Sequence, residues 1–252
     1  MLIHLIFDLL AYAVGTLLAV KVFKSRTTQL IAGENLRYIY YIIVIVGAFF
    51  GAFIIGSLNT YLSVESNDSI IIGKSILGAI IGATIAVESF KKVMKIKGST
   101  GAYFVPSLAI GIAIGRVGCF LSGLEDYTYG IETNFILGYD FGDGISRHPV
   151  QLYESAMMLL FFLYVLWVYF KYRDYFEKNI FYQFILFYAV QRFIWEFLKP
   201  YETLAFGLNV FQFFCLGLVV YALGNLDKSA IKAHYYSLYS YFKTINIKIN
   251  TR

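Results

Sequence analysis

Apolar runs recur along the whole chain with short polar stretches between them, at residues 2–23, 38–62, 70–90, 101–121, 150–170, 179–198 and 204–224. A helix of about 20 apolar residues crosses the hydrocarbon of a bilayer. The pattern therefore predicts an all-α integral membrane protein with seven transmembrane helices. It leaves no room for a separate soluble domain, so residues 1–227 form one seven-span domain, followed by a basic, tyrosine-rich tail at 228–252. The first run begins almost at Met1, without the basic region and small-residue cleavage site of a secretory signal, and is expected to be retained. No internal repeat is evident, which argues against the inverted halves of many secondary transporters.

Composition agrees with this reading. Charged residues make up 15% of the chain and mean hydropathy is +0.65, where a soluble domain has roughly 25% charged residues. The charges then orient the spans. Loop one carries Lys21, Lys24, Arg26 and Arg37, loop three Lys91, Lys92, Lys95 and Lys97, loop five Lys171, Arg173 and Lys178, and the tail Lys228, Lys232, Lys243, Lys248 and Arg252. The remaining loops hold only Arg147 and Lys199, against Glu65, Asp68, Glu125, Asp126, Glu132, Asp140, Asp143 and Glu202. Basic residues accumulate in cytoplasmic loops, which puts the N-terminus outside and the C-terminus in the cytoplasm. The net charge of +5 is thus a mark of topology, and no nucleic-acid partner is expected. Lysines mixed with Tyr235, Tyr236, Tyr239, Tyr241 and Phe242 suit a tail lying in the inner-leaflet interface. Cys119 and Cys215 both fall in apolar segments and imply neither a disulfide framework nor a metal site; no cofactor is called for.

Ionisable residues inside the spans or at their edges are the candidates for chemistry, because a charge in hydrocarbon is costly without a partner or ligand. They are Asp8, Lys74, Glu88, Arg116, Glu154, Arg192 and Glu196. Glu88 precedes Lys91 and Lys92 by three and four residues, the spacing of an interfacial helix pair, and Lys74 is placed to snorkel. Arg192 and Glu196 are spaced i, i+4 on one helix face: either a self-neutralising pair, or a glutamate holding a guanidinium toward an anion. Arg116, flanked by Gly111, Gly115 and Gly118, supplies a second cation just before a long polar loop. Two arginines at the outer face of a membrane suggest a phosphate, and the phosphate at hand is a lipid headgroup. Beyond the loop, Arg147, His148 and Pro149 mark a helix start, with Gln151, Tyr153 and Glu154 in its opening turns. These serve either as interfacial caps or as substrate contacts. The loop itself is either ordered over a substrate or simply irregular, as loops of more than about 15 residues can be. Its acids, Asp140 and Asp143, lack calcium-loop spacing.

Three motifs carry a resemblance: GRVGCFLSG at 115–123 with Gly130 beyond, HPVQLYE at 148–154 and RFIWEFLK at 192–199, with a weaker echo in GKSILGAIIG at 73–82. Together they resemble the prolipoprotein diacylglyceryl transferases, seven-span enzymes of the bacterial plasma (inner) membrane. The resemblance implies transfer of the diacylglyceryl group of phosphatidylglycerol, or a related anionic phospholipid, to the lipobox cysteine thiol of a prolipoprotein signal peptide. It places the family's essential arginine on Arg116 and its second arginine, with the following glutamate, on Arg192 and Glu196. Substrate contacts are then expected from Lys74, Gly115, Gly118, Gly123, Gly130, Gln151, Tyr153 and Glu154. The chain departs from the family pattern at Cys119 and Ser122, which stand where the family has asparagines, at Leu124 and Glu125 after the glycine, at Leu77 where a histidine is usual, and at Phe53 where an arginine is common. That leaves the general base to Glu125 or His148. It also keeps two other readings open: a relative with another acceptor, and a non-catalytic phospholipid-binding or lipid-transporting protein. Cys119 is expected to be a packed small residue rather than a nucleophile, since apolar surroundings raise a thiol pKa.

Overall fold

The computed structural model describes residues 2–22, 31, 33–63 and 73–235. Each of the seven apolar runs contains a helix. The helices are α1 (Leu2–Leu17, continued by a π turn to Val22), α2 (Glu34–Ser63), α3 (Ile76–Met94), α4 (Val105–Leu121), α5 (Val150–Lys171), α6 (Arg173–Glu196) and α7 (Val210–Asn225). A short α8 (Lys228–Tyr235) follows at 75° to α7. The end of the basic tail, and with it the interfacial role expected of it, lies outside the described residues.

Among the described residues, four stretches are long and apolar enough to cross a membrane: Leu2–Val20, Glu34–Leu62, Ala102–Leu121 and Val150–Lys171. The bent pair α7 and α8 makes a fifth if it counts as one span. Charge is what sets α3 and α6 apart. The first carries Glu88, Lys91 and Lys92 in its last turns, and the second buries Asn179, Gln191, Arg192 and Glu196. The chain is thus an all-helical protein with several apolar spans.

Local chemistry fixes the helix ends. Ser75 caps α3 by accepting a hydrogen bond from the Gly78 amide, and Pro106 in the first turn of α4 costs no hydrogen bond. α7 opens with a reciprocal capping box between Asn209 and Gln212. Pro149 is the residue just before α5, which begins at Val150, where the apolar run 150–170 puts it. A single residue, Tyr172, separates α5 from α6, and its amide closes the last turn of α5 on the Val168 carbonyl. Helices α4, α5, α6 and α7 enclose a core that includes Val105, Ala109, Met158, Val165, Phe176, Phe184, Ile185 and Cys215. The expected helix pair forms, with Lys91 Nζ 2.8 Å from Glu88 Oε1, and the Tyr221 hydroxyl also donates to that carboxylate at 2.8 Å.

Glycines join α2 to α3. A Cβ on Gly82 would meet the Gly47 carbonyl and sit 2.8 Å from the Gly51 Cα, and one on Gly56 would sit 2.6 Å from the Gly73 carbonyl. These obstacles are backbone and cannot rotate away, and small residues at such positions are what let helices pack closely in lipid. Gly82→Val should lower thermal stability in detergent by about 1–3 kcal/mol. Gly217→Ala, in α7 where a Cβ meets nothing within 4 Å, should raise it by a few tenths to about 1 kcal/mol, since glycine is the weaker helix former. Equal effects of the two changes would refute the close packing.

The polar loop between α4 and α5 is ordered by its backbone. The Asp140 side chain accepts from the amides of Gly142, Asp143 and Gly144, which turns the chain between two short antiparallel strands, β1 (Tyr139–Asp140) and β2 (Ser146–Arg147). Three backbone donors on one carboxylate explain that residue without a calcium ion. Arg147 donates to Asp143 at 2.8 Å, which holds that carboxyl below the usual range. The loop is tied to the bundle by the Ile131 amide on the Leu198 carbonyl at 2.7 Å and by the Tyr201 hydroxyl on the Tyr127 carbonyl at 3.2 Å. Gly130 has no room for a side chain, because a Cβ there would lie 2.5 Å from the His148 carbonyl.

Candidate functional site

Three helices bring their charges to one point beneath this loop. α4 carries Arg116 in its last turns, α5 carries Glu154 in its second turn, and α6 carries Arg192 and Glu196 at its end. After Glu196 the chain tightens, with the Lys199 amide on the Glu196 carbonyl at 3.2 Å, and this turn folds the Lys199 side chain back into the bundle. Glu154 is the centre. Its Oε2 lies 2.5 Å from Arg116 Nε, while its Oε1 accepts from Arg192 Nη1 at 2.6 Å and Lys199 Nζ at 2.9 Å. Arg192 Nη2 lies 2.6 Å from Glu196 Oε1, so the i, i+4 pair expected from the sequence forms. Lys199 Nζ approaches the same oxygen at 3.6 Å, and Asn209 Nδ2 donates to the other oxygen of Glu196 at 2.9 Å.

All five charged residues are 2–6% exposed. Three cations face two carboxylates, so the cluster as ionised keeps one positive charge in excess. A buried ion cluster that balanced its own charges would fit a purely structural role. This one sets three basic side chains against two acidic ones, and any positive charge left over in apolar surroundings favours an anion beside it. Other polar atoms here point the same way. Arg192 Nε, the Tyr188 hydroxyl, Trp195 Nε1 and both amide atoms of the Gln151 side chain are buried with no protein hydrogen-bond partner among the described residues. Buried polar groups are rarely left so. The Phe211 ring lies 5.2 Å from the Arg192 guanidinium carbon and closes one side. Tyr201, above the cluster, has its phenol pushed above the ordinary value by burial and by the charge of Glu196.

The structure therefore brings Arg116, Arg192, Glu196 and Glu154 together, with Gln151 one helical turn from Glu154. It separates the others. Glu125 sits on the exposed side of a 3-10 turn at Gly123–Asp126. His148 faces the Tyr153 hydroxyl at 3.4 Å and the Phe135 ring. Lys74 is exposed over the Phe53 ring, 5.5 Å from its centroid. Among the glycines, Gly118 allows close approach, since a Cβ there would lie 2.5 Å from that of Phe7 on α1. Gly115 faces open space, and Gly123 (φ +67°) holds a left-handed turn suited to glycine. Lys199 is the member of the cluster that the sequence hides: it lies past the apolar run and counts there as a loop charge. Its signals are the i, i+3 spacing from Glu196 and its place at the end of the RFIWEFLK motif.

The sequence model of the prolipoprotein diacylglyceryl transferase family matches residues 5–226. Three relatives are named phosphatidylglycerol–prolipoprotein diacylglyceryl transferase. That of Clostridium tetani is 30% identical over 74% of this chain and 78% of its own length. A second-numbered enzyme of Clostridium perfringens is 27% identical over 84% and 88%. The protein of Aromatoleum aromaticum is 29% identical over 61% of each chain, so the match spans about three fifths of that relative's length.

Proposed function

The chain belongs to the prolipoprotein diacylglyceryl transferase family, and from that premise we propose that it moves the diacylglyceryl group of phosphatidylglycerol to the lipobox cysteine of a prolipoprotein. The observation that carries this reading is the convergence of three buried basic side chains, Arg116, Arg192 and Lys199, on only two carboxylates, Glu154 and Glu196. In the reaction the acceptor thiolate sulfur attacks the glycerol carbon that bears the phosphate ester. A carbon–sulfur bond forms, the carbon–oxygen bond breaks, and glycerol phosphate leaves with the bonding electrons. The acceptor thiol gives up its proton to solvent on ionising, and the phosphate monoester that leaves can take one up there, so the proton is conserved overall. Charge builds on the departing phosphate oxygen, where fixed guanidinium and ammonium donors stabilise it most. Glu154 and Glu196 aim those donors and offset most of the cost of burying them.

The same reading places the protein in the bacterial plasma membrane with seven spans, its N-terminus outside and its tail in the cytoplasm. The α4–α5 loop then covers the cluster from the outer face, where a prolipoprotein presents its signal peptide. The test uses purified protein in phosphatidylglycerol vesicles with a lipobox peptide. Mass spectrometry should find the peptide heavier by one diacylglyceryl group, and a peptide with serine in place of the cysteine should stay unchanged. Loss of phosphatidylglycerol with the peptide untouched would point to another acceptor. No turnover with any thiol acceptor, while the lipid stays bound, would favour a lipid-binding protein.

A further inference from the structure

A second group of ionisable side chains adjoins the first and plays no part in it. Cys119 Sγ lies 4.0 Å from Arg116 Nη1, and on its other side His4 Nε2 of α1 approaches it at 3.7 Å. His4 Nε2 is also 3.3 Å from Asp126 Oδ1, on the 3-10 turn after α4. The nitrogen, sulfur and carboxylate oxygen all fall within 4.8 Å of one another. They come from three separate elements: α1, α4 and the loop.

We propose that His4, Cys119 and Asp126 form a binding site for a divalent metal ion of the zinc class, with three protein ligands. Bonds of about 2.0–2.1 Å to nitrogen and oxygen and about 2.3 Å to sulfur, at tetrahedral angles, put nitrogen and oxygen ~3.3 Å apart and nitrogen and sulfur ~3.6 Å apart. The observed separations, 3.3 and 3.7 Å, are close to these edges. The outer atoms are arranged to match. His4 Nδ1 is taken by Asp8 Oδ2 at 3.0 Å, which turns Nε2 inward. Asp126 Oδ2 accepts from the Thr128 hydroxyl at 2.5 Å, which leaves Oδ1 inward. A carboxylate behind a ligating histidine, and a donor behind a ligating carboxylate, are the usual outer supports of a metal site. A thiolate, a carboxylate and a neutral imidazole balance a doubly charged ion, which suits a partly buried place beside Arg116. Nitrogen, sulfur and oxygen donors together select zinc or cobalt over magnesium or calcium, which take oxygen. Three ligands leave a fourth tetrahedral position for water or another donor.

The site does not depend on the transferase reading, and its test needs no activity. Full-length protein in detergent, stripped with a chelator, is titrated with Co2+ and, separately, with Zn2+ against a chelating dye. One equivalent of Co2+ should give tetrahedral bands in the visible and a thiolate charge-transfer band in the near ultraviolet. Cys119→Ser should remove the charge-transfer band, whereas Cys215→Ser, which alters the other buried thiol, should leave it. His4→Gln and Asp126→Asn should each weaken Zn2+ binding at least tenfold, and Asp8→Asn about 10–100-fold. Melting curves taken alongside separate lost binding from lost folding. Failure to bind either ion stoichiometrically would overturn the proposal. So would a charge-transfer band that survives Cys119→Ser, or Zn2+ affinity unchanged by His4→Gln.

Discussion

Glu154→Ala should destabilise the protein by about 3–5 kcal/mol, the cost of removing one member of a buried ion cluster. The residue is 3% exposed and serves Arg116, Arg192 and Lys199 at once. Without it Arg192 and Lys199 keep Glu196, but Arg116 keeps no carboxylate within the cluster. With total stabilities of about 5–15 kcal/mol, such a loss appears as a large fall in melting temperature in detergent. The origin of the loss can be isolated. Glu154→Gln keeps the shape and removes the charge, so it should cost nearly as much. Adding Arg116→Met to Glu154→Gln should recover part of the loss, because the stranded cation goes too, and the double-mutant cycle reads that coupling directly. A loss under about 1 kcal/mol for Glu154→Ala, the scale of an exposed pair, would mean the five charges do not act as a buried unit.

The second large effect is on turnover. Arg116→Ala should lower transfer from phosphatidylglycerol by about 10²–10³-fold, the usual result of removing a donor that stabilises transition-state charge. The fall should lie in kcat as well as kcat/KM, because the donor matters most as the phosphate leaves. Arg116→Lys should fall between, since it keeps a charge but loses the planar fork whose Nε reaches Glu154 while Nη1 points to Cys119. Undiminished transfer by Arg116→Ala, with melting behaviour unchanged, would remove that residue from the chemistry.

The sequence reveals the helices and half of the site, and the reasons differ by residue. Hydrocarbon imposes a length and an apolar composition, so all seven runs stand out before any folding is considered. Arg192 and Glu196 are legible because one helix turn puts them together. Arg116 stands out because a charge in an apolar run is costly wherever it points. That Arg116 meets Glu154, 38 positions away, is set by how α4 packs on α5, which no local spacing encodes. The opening turns of α5 look equally like interfacial caps, yet Glu154 is buried at the centre. Lys199 joins through a tight turn after Glu196 that hydropathy cannot show. His4 is hidden most fully, as one polar residue at the start of an apolar helix whose neighbour, Cys119, lies 115 positions on. The loop shows its polarity in sequence. Its hairpin does not show, because three backbone amides on Asp140 depend on the conformation of Gly142 and Gly144.

The departures from the family pattern are now located. Leu77, at which the resemblance leads one to expect a histidine, is packed in the core with 1% exposure, and Cys119 lies between Arg116 of its own helix and His4 of α1.

Three basic side chains buried against two carboxylates should select an anionic lipid, and lipid selectivity tests this most directly. Protein in mixed micelles, equilibrated with equal phosphatidylglycerol and phosphatidylethanolamine, is analysed by native mass spectrometry. The wild type should retain phosphatidylglycerol in preference to the zwitterionic lipid, and Arg116→Ala and Arg192→Ala should each lose that preference. Equal retention of both lipids by the wild type, or a preference unchanged in both variants, would contradict it.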